Sequence, residues 1–136
     1  MFEKLTAFLP LLSGPRYGTW RGGPDSNGFI QFPWVDYEPH VLNFIEEVYK
    51  FESAHEDMGL RNYSSVFGAV GVEWDFDSMS NAEVSQFDGK TVVALIVGAI
   101  RADRFCEGAF LHFLSKGVVS RWLERLKEMD EFDSSS

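Results

Sequence analysis

Two arginines, an aspartate and a glutamate fall within residues 99–108, AIRADRFCEG, directly after the apolar run VVALIVG. At about 100° per residue, Arg101, Arg104 and Glu107 share roughly one third of a helix circumference. Val93, Val97 and Ile100 lie on the same side, so Arg104 extends an apolar stripe. A guanidinium placed there must reach water or find acceptors, because an unpaired buried charge is very costly. Its planar fork suits carboxylate, carbonyl or phosphate partners. The leading expectation is therefore a salt-bridge lock at the end of a buried helix. Glu107 and Asp103 are its local partners, and Asp75 and Asp77 are candidates from elsewhere in the chain. The alternative is an anion- or carboxylate-binding pocket. On that reading the ligand-contacting residues are Arg101, Arg104, Glu107, Trp34, Trp74 and Asp75.

Other reactive residue types form no recognisable machinery. There is no glycine-rich phosphate loop, no nucleophile elbow and no pair of histidines at metal-ligand spacing. His40, His55 and His112 are isolated and read as surface or capping groups. Asp75 and Asp77, joined by Asp88 or Asp103, carry oxygen donors but lack the spacing of a calcium loop. No metal and no cofactor is expected. Cys106, the single cysteine, excludes an intrachain disulfide framework and reads as a packed thiol rather than a nucleophile. Trp20, Trp34 and Tyr37 stand in a turn-rich region and read as the buried face of a hairpin.

Charge narrows the partners. Net charge is −9, and residues 35–90 hold 12 acidic against 3 basic groups, which accounts for the whole excess. Such a surface repels nucleic acid and anionic membranes, both of which bind through lysine and arginine. A basic protein partner would be favoured. An acidic protein-interaction module without catalytic activity is the expected function, with the small-molecule or anion pocket as the alternative. An aromatic hairpin edge and one acidic face are also compatible with a homodimer.

The elements that must position these groups follow from periodicity. The chain of 136 residues, 45% hydrophobic and 15% aromatic, suits one globular domain over 1–130, with a frayed acidic and serine-rich tail over 131–136. A first helix is expected at about 2–12, with Pro10 inside its apolar pattern. The opening segment lacks the features of a signal peptide, and the apolar run 92–100 is too short to span a bilayer. The reading is a soluble, cytoplasmic protein.

YGTWRGGPDSNGFIQFPWV reads as a hairpin with a longer loop, Pro33 being confined to an edge or strand end. Residues 39–51 form the clearest amphipathic helix. RNYSSVFGAVG reads as a short helix stopped by Gly71, and VEWDFD, alternating over six residues, as a third strand. A turn over SNAEVSQFDG closes at Gly89. From Thr91 to about Cys106 runs a helix apolar nearly all round, with Ala94, Gly98 and Ala102 as a small-residue stripe for a close neighbour. Two further helices follow, separated at Gly117. The fold class is α+β, predominantly helical, with a buried central helix and a small antiparallel hairpin or three-stranded sheet.

ALIVGAIRADRFCEGAF followed by GVVSRWLERL resembles the most recognisable stretch of a family of small uncharacterised bacterial proteins, a domain of unknown function with an Arg-x-x-Arg-Phe-x-x-Gly type signature. Arg101, Arg104, Phe105, Glu107, Gly108 and Gly117 match it. LTAFLPLL with YGTW is similar to that family's opening, and VEWD is a further match. The resemblance implies a single domain and carries no activity with it.

Overall fold

The computed structural model describes residues 1–14, 16–24 and 30–135. Two short helices open it, α1 (Glu3–Thr6) and α2 (Leu9–Leu12). The single helix expected here is broken because Pro10 has no N–H for the carbonyl of Thr6 and its ring crowds that carbonyl. Strands β1 (Gly18–Pro24) and β2 (Ile30–Tyr37) pair antiparallel, with Trp20 opposite Val35 and Arg21 opposite Trp34. The register slips between Arg21 and Gly23, beside Pro33, which has no N–H to give to a ladder. The Gly/Pro/Asp/Asn loop expected between the strands falls largely on residues 25–29, outside the described residues.

Helix α3 (Pro39–Ala54) starts at a proline suited to a first turn and buries Val41, Phe44, Val48 and Phe51 on one side. Two single 3-10 turns lead into α4 (Tyr63–Gly68), and Gly71, at φ +85°, closes the turn after it. The expected third strand is absent from the described residues. Instead, residues 72–75 enter α5 (Phe76–Ser80), and the Asp75 carboxylate accepts the Ser78 N–H at 2.7 Å as its N-cap. Six alternating residues cannot hold a strand when an aspartate cap with a free helix start follows.

Helix α6 (Gly89–Ala102) is the centre of the molecule, and Thr91 through Ile100 are buried without interruption. It begins earlier than its apolar run suggests because Asp88 caps it, accepting from Thr91 N at 2.9 Å. It also ends four residues before Cys106. Helices α7 (Ala109–Ser115) and α8 (Val118–Ser135) cover it together with α3 and α4. Helix α8 continues past residue 130, where the sequence suggested a frayed tail. Its Arg125 donates to the Val84 and Phe87 carbonyls, and Asp130 accepts from Phe2 N, so α8 ties both neighbouring segments down.

The small-residue stripe on α6 has the expected use. A Cβ at Gly98 would lie 2.9 Å from Phe67 Cε2 and 3.3 Å from Tyr63 Cδ2, so α4 approaches α6 only because that atom is missing. Phe67 is fully buried and cannot swing away. Gly98→Ala should therefore destabilise the fold: overpacking costs about 1–3 kcal/mol, more than the roughly 0.5–1 kcal/mol gained in helix propensity. Urea unfolding with an unchanged m-value checks this, and a stabilised variant would show that α4 is loosely seated.

Candidate functional site

The charged stretch after α6 is a turn, not more helix. Asp103 caps α6, and the N–H groups of Arg104, Phe105 and Cys106 fold back onto Arg101 and Ala102 carbonyls. A helical wheel extended past Ala102 therefore misplaces everything beyond it. The Asp103 carboxylate accepts the Tyr37 O–H at 2.5 Å on one oxygen and the Phe110 N–H at 2.7 Å on the other. The Tyr37 hydroxyl in turn accepts from Leu111 N at 3.1 Å. Glu107 Oε1 accepts the Val35 N–H at 2.8 Å. Gly108, at φ +87°, starts α7, and the Trp20 ring occupies the place where a Cβ would stand. These contacts tie the hairpin to the core.

A lock does exist here, but the acids make it. Arg104 is exposed and has neither ion pair nor hydrogen bond among the described residues, contrary to its expected pairing with Glu107 or Asp103. Arg101 turns to the other side of α6. Its Nη2 lies 3.5 Å from Glu52 Oε2, and its guanidinium sits 5.2 Å from the centre of the Tyr49 ring.

The turn also builds one wall of a cleft of about 410 Å³, whose opposite wall is the entry to α5. Trp74 is held by its indole N–H, which donates to the Gly98 carbonyl at 2.9 Å. Phe105 meets Trp74 edge-on at 5.3 Å and 87°, forming a right-angled aromatic corner, and Phe105 is 78% exposed. Phe76 continues the wall, in contact with Phe113 at 4.9 Å and with the His112 ring at 4.1 Å. Asp75 and Glu107 are the carboxylates that line it, and Cys106, an exposed thiol rather than a packed one, is part of the same lining.

Of the six ligand-contacting residues suggested by the sequence, Trp74, Asp75 and Glu107 come together here. Arg101 lines a separate depression, and Trp34 stands on the outer face of β2 opposite Arg21. Phe76, Phe105 and His112 escaped the sequence reading because α5, the turn and α7 meet only in the fold. For Phe105 one signal was present, a large aromatic beside two charged residues at a helix end. Among the described residues no group of three or more His, Cys, Asp or Glu converges to hold a metal ion. Asp75, Asp88 and Asp103 are occupied as caps or in the hairpin tie.

Residues 72–131 match the model of a family of unknown function, DUF6508. The match begins at the segment carrying Trp74 and runs into α8, so the stretch similar to that family spans the cleft, the buried helix and the turn. No curated protein and no solved structure matches the chain. No helix among the described residues is long and apolar enough to cross a membrane.

Burial, the largest influence, holds the Asp103 carboxyl above the ordinary aspartate range, against the opposing pull of its hydrogen bonds from Tyr37 and Phe110. Burial likewise pushes the Tyr37 hydroxyl up, reinforced by Asp103. The folded state therefore binds the Asp103 proton more tightly than the unfolded chain does. This contribution to stability is complete below the unfolded value of about 4 and is lost as pH rises through the folded value. Asp103→Asn removes that titration. Urea unfolding from pH 4 to 7 should show the stability of the wild type relative to Asp103→Asn declining as pH rises. A rising difference would reverse the assignment. Tyr37→Phe should cost about 1–3 kcal/mol, because the Leu111 N–H and one Asp103 oxygen lose their partner.

Proposed function

We propose that this chain is a non-catalytic binding module of the cytoplasm, and that its cleft takes a basic side chain of a protein partner. The observation that carries the reading is the perpendicular corner of Trp74 and Phe105 with Asp75 and Glu107 beside it. Aromatic faces attract cations through the ring quadrupole, by about 0.5–1 kcal/mol when exposed and about 2 when desolvated. The two carboxylates add long-range attraction, and the excess of acidic groups over residues 35–90 extends it across the surface. The stem of a lysine or arginine side chain would pack along Phe76, Met79 and Phe113 while its head met the corner.

Magnitudes set the kind of complex. Two cation–π contacts and two screened ion pairs supply about 2–4 kcal/mol, well short of the roughly 8 kcal/mol of a micromolar complex. A tight partner must therefore also cover neighbouring surface, and the exposed Trp20, whose ring lies on Gly108 next to the cleft, is the nearest apolar area for it. The anion-pocket alternative is less well supported, since Arg101 and Arg104 diverge and the groups facing the cleft are carboxylates.

The test uses small probes with one charge and one stem: n-butylguanidinium and n-butylammonium against butyrate. Both cations should shift the Trp74 indole N–H resonance, with weaker binding at high salt, and butyrate should not. Phe105→Ala should abolish the response while changing stability by less than about 1 kcal/mol, because the ring is so exposed. Asp75→Asn keeps the helix cap and removes the charge, and should weaken both cations. An equal response to butyrate, or an unaltered one in Phe105→Ala, would refute the proposal.

A further inference from the structure

On the far side of α6 a second depression, of about 810 Å³, lies between the end of α3, the 3-10 turns over residues 56–62 and Arg101. Its central ion pair is only half made. The Arg101 and Glu52 side chains are 24% and 12% exposed, yet their nearest atoms stand 3.5 Å apart, beyond the roughly 2.7–2.9 Å of a charge-assisted hydrogen bond. Neither side chain makes a hydrogen bond among the described residues, and the Arg101 Nε is buried with no acceptor. A guanidinium has five N–H donors, and a largely buried one without acceptors is unfavourable unless something else supplies them. The Tyr49 ring under the guanidinium fixes its position while taking up none of those donors.

We infer that this depression binds a small zwitterion of the α-amino-acid class, its carboxylate on Arg101 and its ammonium on Glu52. Charge balance selects that class. Arg61 and Arg101 are matched in the lining by Glu52 and Glu56. Inorganic phosphate would meet two carboxylates, and a simple cation two guanidiniums. A molecule carrying both charges finds a complement at each end, its carboxylate and ammonium lying beside the Arg101–Glu52 pair on the side that faces the depression. The volume falls within the roughly 300–1,000 Å³ of ordinary ligand sites, so a side chain fits as well, beside Tyr49 and Leu60. The inference is independent of the cation-binding cleft, sharing no residue with it.

Thermal-shift and calorimetric titrations of the full chain with each standard amino acid test it, with phosphate, acetate and methylammonium as single-charge controls. At least one amino acid should raise Tm and give a saturable heat, and the three controls should not. Glu52→Gln should weaken that binding about tenfold, the value of one charge-assisted hydrogen bond. Arg61→Ala, at an exposed rim position, should weaken it about threefold without loss of stability. The second variant keeps the test decisive if changes at the buried pair impair folding. Absence of binding by every amino acid, binding of phosphate alone, or undiminished affinity in both variants would overturn the inference.

Discussion

Burial of α6 on all sides is the condition on which the remaining structure depends. Ten consecutive residues, Thr91 to Ile100, have no wet face, so this helix exists only inside a sleeve of other elements. Its own propensity is modest, since its three valines, two isoleucines and the glycine at position 98 are not strong helix formers. Packing supplies what propensity does not. The sleeve closes tightest at Gly98, where Phe67 and Tyr63 lie against the backbone and the Trp74 indole reaches the Gly98 carbonyl. One glycine thus seats α4 and also anchors the main aromatic wall of the cleft.

A helix with no polar face forces its polar groups to its ends, and the chemistry of the molecule collects there. Asp88 caps the start, while Arg101 and Asp103 stand at the finish. The hairpin depends on that finish. Two strands alone are marginal in water, and among the hairpin side chains whose burial is described Val35 is the hydrophobic one that is buried. Its attachment comes from Tyr37 on Asp103, Val35 N–H on Glu107 and Trp20 on Gly108. Glu107 belongs both to this attachment and to the cleft wall. Hairpin placement and cleft shape therefore share a residue.

Periodicity made the long elements legible. The apolar side of α3, the uniform burial of α6 and the break at Gly117 all follow from side-chain spacing, because burial of whole faces dominates their energetics. Short elements were decided by single groups that periodicity does not weigh. Pro10 divided the first helix, Asp75 turned an alternating segment into a helix entry, and Asp88 started α6 two residues early. The site shows the same limit. Trp74, Asp75 and Glu107 were recognisable by type, whereas the meeting of Phe76 with His112, or of Arg101 with Glu52, joins segments far apart in the chain. Only packing brings those together.

That the acids rather than the arginines hold the turn has a geometric cause. A carboxylate at the C-terminal end of α6 faces the negative end of that helix, which is unfavourable. Asp103 also stands before α7, whose first N–H groups have no partner within the helix, and the Phe110 N–H finds one in its carboxylate. With one methylene in its stem, aspartate can hold two donors in a tight turn without crossing it. Arginine reaches too far for such a space and runs its stem outward until the head meets water or a ring. Arg104 finds water, and Arg101 finds Tyr49 and an incomplete partner in Glu52. Charge at the end of a buried helix is thus divided by stem length: short acids close the turn, and a long cation is left with donors to spare.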